Sequence, residues 1–144
     1  MDQVVVFLSA TKVLLAAQNG AEIINCSWGG LGYSSINQMV CTDAFNMGSI
    51  LVVAAGNNGN NTPTYPAAYN DVIAVANSTQ TDAKNSNSSY GTWVDITAPG
   101  TSIFSTIPWG NYGNFSGTSM AAPLVSGLLG LIWSANLSAA KHQF

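Results

Sequence analysis

Short unbroken apolar runs alternate along this chain with longer segments whose apolar residues recur at helical spacing. "LSATKVLLAAQNGA", Leu8 to Ala21, follows the helical period, and Gly20 supplies its stop. "EIINCS" then reads as a strand, "WGGLG" as a glycine turn, the region from Ser35 to Asn46 as a helix and "ILVVAA" as a second strand. After the loop "GNNGNNTPTYPAAYND" come the strand "VIAVAN", an Asn/Ser-rich loop, a short strand near "WVDIT" and the turn "APG". "IFSTIPWGNYGNFSG" has the look of a hairpin, and a final helix runs from Met120 to Ala135. Pro123, Ser126 and two glycines make that last segment short and irregular for a membrane span, so a buried helix of a soluble protein is expected. Apolar strands alternating with helices predict an α/β fold in three layers, a parallel sheet covered by helices on both faces. In such sheets ligands bind beyond the carboxyl ends of the strands, where the turns "SWGG" and "AAGNNG" fall. The chain shows no internal repeat or linker and is expected to form one domain without an internal boundary.

Composition narrows the picture. Of 144 residues, 47% are hydrophobic and only 6% charged, against about 25% charged in an average soluble domain. A surface so poor in charge belongs to a protein working outside the cell behind Asn, Ser and Thr, or to part of a larger body; the reading favours both together. Lys12, Lys84 and Lys141 are the only cations and the net charge is −3, which excludes nucleic acid and anionic membrane surfaces as partners. "MDQVVVFLSA" lacks the positive start of a secretory signal and is not read as one. Cys26 and Cys41 are expected to be free thiols, Cys26 serving as a small buried hydrophobe in its strand.

Chemistry concentrates at "NFSGTSMAAPLVSGLLGLIW", which sets a hydroxyl-rich turn against the most apolar run of the chain. Ser119 stands at the helix start, where unpaired N–H groups and the helix dipole favour developing negative charge. It reads either as an ordinary cap or as an acyl-transfer nucleophile. Asn57, at a strand end in "VVAAGNNG", reads either as a turn residue or as an amide donor to an oxyanion. Gly56 and Gly59 lack the spacing and the lysine of a phosphate loop.

Together these segments resemble the subtilisin-like serine peptidases, the subtilases, from about Leu8 to Ser138. "GTSMAAP" is similar to the family's nucleophile motif, "VVAAGNNG" to its oxyanion motif and "NGAEIINCSWGG" to its substrate-binding strand and glycine turn. "YPAAYNDVIAVAN" and "VDITAPGTSIFST" resemble its connecting segments, in the same order. The resemblance implies an endopeptidase in which Ser119 is the nucleophile and Asn57 the side-chain oxyanion donor, with the Ser119 N–H as the second donor. It implies that Ser27, Trp28 and Gly29 pair with the extended substrate backbone, and that Ala54, Ala55 and Gly56 wall the pocket for the residue before the cut. It implies a peptide or protein substrate, an extracellular or cell-surface location and no cofactor for the chemistry. A structural calcium ion is left open, Asp95 matching a framework position near a cation site of some members.

The family's acid and base segments, of "DTG" and "HGTH" type, are not found in the sequence. The chain is therefore expected to be an incomplete, carboxyl-side half of a catalytic domain, with the missing upstream half as its partner and little activity alone. His142 is the only histidine, and the last helix carries the chain away from Ser119 at about 1.5 Å per residue, so it is read as a terminal residue and not as the base. Asp43, Asp71 and Asp82 are read as solvated charges. Leu124 replaces a histidine common after the motif proline, Asn87 replaces a loop aromatic, and Trp28 is bulky where a more distant subsite is shaped. Two alternatives stand beside the peptidase: a non-catalytic peptide-binding module built on the same groove, and an α/β-hydrolase esterase. The latter requires G-x-S-x-G and a later acid, whereas Ala121 holds the last position and no Asp or Glu follows Asp95.

Overall fold

In the computed structural model, which describes residues 9–135, the strand Ile50–Ala54 is buried at every position. Numbered in chain order, the strands are β1 (Ile23–Cys26), β2 (Ile50–Ala54), β3 (Val72–Ser78), β4 (Ile96–Pro99), β5 (Ile103–Ile107) and β6 (Asn111–Phe115); the helices are α1 (Ser9–Gln18), α2 (Ser35–Asn46) and α3 (Thr118–Ala135). The first four strands form one parallel sheet in the order β1-β2-β3-β4. Alternation along β2 explains its complete burial: Leu51 and Val53 face α1 and α2, while Ile50, Val52 and Ala54 face α3. The three-layer α/β arrangement expected from the sequence is therefore present. β5 and β6 form a separate antiparallel hairpin joined by the 3-10 turn Pro108–Gly110.

Local signals account for the element ends. Gly20 follows α1 with φ +82°, a left-handed value that costs a residue without Cβ little. Ser34 caps α2, its hydroxyl accepting the Asn37 N–H. One boundary differs from expectation: β4 begins at Ile96 and includes Ala98 and Pro99, so most of the expected "APG" turn is strand. Asp95 explains the shift. Its N–H donates to the Ala74 carbonyl at 3.0 Å and its carboxylate accepts the Ala74 N–H at 2.8 Å, so side chain and backbone together anchor the start of β4 to β3.

The last helix also departs from expectation. α3 buries Ala121, Ala122, Val125 and Leu129 on the sheet, yet Leu124, Leu128 and Leu131 are exposed. It is buried along one face only, and is the only helix among the described residues long and apolar enough to cross a membrane by length and composition, with mean hydropathy 1.4. Its small residues, Ala121 and Ala122, lie directly against the sheet and allow the close approach.

Cys26 and Cys41 are free and buried, as expected. Burial pushes the Cys26 thiol up to about 12, the nearby Cys41 adding to the shift, and burial with the charge of Asp71 raises Cys41 to about 11. Both values lie above those of the unfolded chain, so the thiols' contribution to stability is complete below about pH 9 and lost as pH rises through 11 to 12. Equilibrium unfolding should show stability constant on this account to pH 9 and falling above it, with the fall reduced in Cys26→Ala; a pH-independent midpoint between 9 and 11 contradicts this. In the same assay Leu51→Ala should cost about 2–5 kcal/mol, whereas Leu131→Ser should stay within about 0.5 kcal/mol. Equal costs would mean that α3 is covered on both faces.

Candidate active site

β2 ends at Ala54, and its extension delivers Gly56 and Asn57 to the carboxyl edge of the sheet, where α3 begins. The turn needs Gly56 with φ +101°: a Cβ there would meet the Ser89 hydroxyl and the Thr64 side chain at 3.2 Å. Asn57 then meets the helix start. Its side-chain oxygen accepts the Thr118 N–H at 2.9 Å and the Thr118 hydroxyl at 3.2 Å. The same hydroxyl accepts the Gly56 N–H at 3.1 Å. With the oxygen so engaged, the Asn57 NH₂ is the end of the amide left to face a ligand.

Ser119 is not a helix cap. The carbonyl of Gly117 accepts the first helical N–H groups, from Met120 at 3.0 Å and Ala121 at 3.3 Å. The Ser119 hydroxyl instead donates to the Ser27 carbonyl at 3.2 Å, and the Ser27 hydroxyl donates back to the Ser119 carbonyl at 3.0 Å. Asn25 strengthens this seam, donating to the Ser27 hydroxyl at 2.8 Å and accepting from Ser126 at 3.1 Å. The helix start is thus tied both to β1 and to the end of β2.

Between these ties opens a cleft of about 510 Å³ lined by Trp28, Gly29, Ala54, Gly56, Asn57 and Ser119, among others. Seven of the residues singled out from sequence therefore come together: Ser119, Asn57, Trp28, Gly29, Ala54 and Gly56 at the cleft, and Ser27 through its bonds to Ser119. Ala55 does not line it. It is wholly buried, its N–H donating to the Val75 carbonyl and its own carbonyl accepting the Thr64 hydroxyl at 2.6 Å. Alternation along an extended segment turns it inward. Among the described residues no charged side chain lines the cleft. Trp28 also borders a smaller, more apolar cavity of about 240 Å³ beside Leu31 and Tyr65, and Leu124 lies with Ser119 in the groove between α3 and the hairpin.

Thr118, Thr64 and Ser89 were missed by sequence reasoning. Thr118 sits inside "GTSMAAP", but a hydroxyl residue at a helix start carries no mark that distinguishes a brace from a cap. Asp71 accepts from the Thr42 hydroxyl at 2.7 Å, Asp95 is engaged with Ala74, and Asp43 lies on α2, so none of them is at the cleft. Among the described residues no three His, Cys, Asp or Glu side chains stand together as a metal site. His142 lies outside the described residues, as does the segment Met1–Leu8.

A serine hydroxyl at a helix start, a carboxamide whose oxygen is already engaged and a cleft at the carboxyl ends of the strands make a site suited to acyl transfer. The subtilase family model, peptidase group S8, matches residues 5–144, and the chain belongs to that family. It is 48% identical to thermitase of Thermoactinomyces vulgaris over 133 residues, covering 92% of this chain and 47% of thermitase. It is 43% identical to an extracellular protease of Xanthomonas campestris over 128 residues, 83% of this chain and 22% of that protein. The crystal structure of a cold-adapted subtilisin-like serine proteinase superposes with a TM-score of 0.87 at 34% identity, over 93% of this chain and 50% of the other. The chain thus spans about half the length of thermitase and of that structure.

The bond between Asn57 and Thr118 can be read directly. Asn57→Ala should raise amide exchange at Thr118 by about tenfold, the loss of one hydrogen bond, without changing exchange at Ala55, whose N–H is bonded to Val75. Unchanged exchange at Thr118 would mean that the Asn57 oxygen is not its acceptor.

Proposed function

We propose that this chain is the nucleophile- and oxyanion-bearing part of an extracellular serine endopeptidase that cleaves peptide bonds through an acyl-enzyme at Ser119. The observation that carries the reading is the locked carboxamide of Asn57 beside Ser119. In the proposed reaction the Ser119 Oγ attacks the scissile carbonyl, and the carbonyl oxygen, now negative, accepts from the Asn57 NH₂ and the Ser119 N–H. Such donors act because they are already aimed when charge develops; loss of the corresponding amide in subtilisin itself costs about 100- to 1,000-fold in turnover. The substrate backbone runs along Ser27, Trp28 and Gly29 as an added strand, and Ala54 and Gly56 wall the pocket for the residue before the cut. No cofactor takes part. The names of relatives such as the Xanthomonas protease, together with the charge-poor composition, support an extracellular location.

The proton of Ser119 needs a base. No histidine occurs among residues 9–135, and the hydroxyl donates to the Ser27 carbonyl, an acceptor that cannot take the proton at neutral pH. In this reading the base and acid come from the upstream half of the catalytic domain, and the exposed leucines of α3 and the low charge support a chain built to be covered. The 144-residue chain alone should label with a fluorophosphonate at a barely detectable rate. Labelling should rise by at least a hundredfold when a subtilase upstream segment bearing the Asp and His is joined or added, and should vanish in Ser119→Ala. No gain on adding that segment, with retained peptide binding, would favour the non-catalytic module. Fast labelling of the chain alone, abolished by His142→Ala, would make His142 the base.

A further inference from the structure

Behind the Gly117 turn, on the side away from Asn57, lies a buried polar cluster with no part in the chemistry above. Asn77 sits near the carboxyl end of β3 and is 1% exposed. Its backbone is held on both sides, the N–H donating to the Ser88 hydroxyl and the carbonyl accepting from Asn85, each at 2.9 Å. Its side-chain oxygen lies 3.2 Å from the Thr101 hydroxyl, which in turn accepts from the Asn85 amide at 2.9 Å and lies 3.0 Å from the Ser78 carbonyl. A buried carboxamide is unfavourable by a few kcal/mol unless its partners are supplied. Val75, two residues earlier on the same face of the strand, is apolar and carries no such demand, so the amide at this one point calls for a reason.

Gly100 occupies the space between this amide and the nucleophile turn. A Cβ at Gly100 would come within 2.6 Å of both the Asn77 side-chain oxygen and the Gly117 carbonyl. The Gly117 N–H donates to the Gly100 carbonyl at 2.8 Å, and a Cβ at Gly117 would meet the Asn57 amide at 3.2 Å. Along the contacts Asn77, Gly100, Gly117, Asn57 there is no room for a methyl group at Gly100, and one at Gly117 would press on the Asn57 amide. Its two ends are alike: each is a carboxamide whose oxygen faces a threonine hydroxyl, Thr101 for Asn77 and Thr118 for Asn57.

We propose that Asn77 is a positioning residue: its amide, held by Thr101, sets the height of Gly100 and, through the Gly117 N–H, the place where the oxyanion donors meet the substrate. The proposal rests on the peptidase reading and deepens it. If the amide is replaced by an apolar group of similar volume, Gly100 settles differently and Gly117 moves with it, carrying the helix start and loosening Asn57. A misplacement of about 1 Å costs on the order of a hundredfold in rate. The substrate-binding edge at Trp28 and Gly29 belongs to the turn after β1 and meets the helix start only through the bonds between Ser27 and Ser119, so the loss falls mainly on turnover.

The test uses the chain joined to the upstream Asp/His segment, with kcat and KM measured for Asn77→Leu, Thr101→Val and Thr101→Ser. Asn77→Leu and Thr101→Val should lower kcat by about ten- to a hundredfold with KM within about twofold, and Thr101→Ser, which keeps the hydroxyl, should hold most of the activity. In the 144-residue chain without the added segment, the first two substitutions should shift the NMR resonances of the Gly117 amide and the Asn57 NH₂, while Ala17→Gly, a destabilising change in α1, should leave both in place. An unchanged kcat in folded Asn77→Leu or Thr101→Val overturns the proposal, as do resonances that stay put or move equally in Ala17→Gly. Failure of the joined wild type to label would count against the peptidase reading alone, because the resonances report the clamp without requiring activity.

Discussion

A carboxamide presents an acceptor at one end and a donor at the other, and the site depends on which end of Asn57 faces the cleft. Thr118 decides it. Its backbone N–H and its hydroxyl both lie against the Asn57 oxygen, so turning the amide over would set its NH₂ against the Thr118 N–H, donor against donor, and leave that N–H unpaired at about 1–3 kcal/mol. Thr118 is itself fully buried and fixed by the Gly56 N–H. The interaction joins the end of β2 to the start of α3, elements more than sixty residues apart by the 61-residue separation of the pair. It closes beside the place where Ala121 and Ala122 seat the helix on the sheet.

The helix that carries Ser119 performs two jobs with one sequence. Its inner face, small near the site and larger at Val125 and Leu129, seats it on the sheet. Its outer face presents Leu124, Leu128 and Leu131 to solvent, in a chain with very few charges to keep such a surface apart from others. The edge strand β1 has a single partner, β2, among the described residues, and an open edge invites pairing. Both features stand in a chain that spans about half of thermitase.

Most of the architecture was legible because parallel strands buried on both faces read as unbroken apolar runs, and "ILVVAA" and "VIAVAN" are such runs. Gly20 marked the end of α1 because a left-handed residue was needed there. What escaped was set by tertiary partners. The start of β4 depends on the Asp95 carboxylate reaching Ala74, a contact between segments 21 residues apart, and periodicity does not register it. The exposed face of α3 was hidden by composition, since an apolar helix reads the same whether one face or both are covered. Ser119 and Asn57 stood out because they sit at abrupt changes from glycine-rich turn to apolar run. Thr118 beside them did not, although it holds the amide in place, and Ala55 was assigned to the pocket wall because a three-residue stretch was read as a unit while its middle member points inward.

The most direct measurement of the central claim is a crystal structure of the chain, joined to an upstream Asp/His segment, with a phosphonate covalently attached to Ser119. The account predicts the phosphonyl oxygen within about 2.7–3.1 Å of both the Asn57 side-chain nitrogen and the Ser119 backbone nitrogen, with the Asn57 oxygen still accepting from Thr118. An adduct whose oxygen points to solvent, or an Asn57 amide turned so that its oxygen faces the adduct, would contradict it.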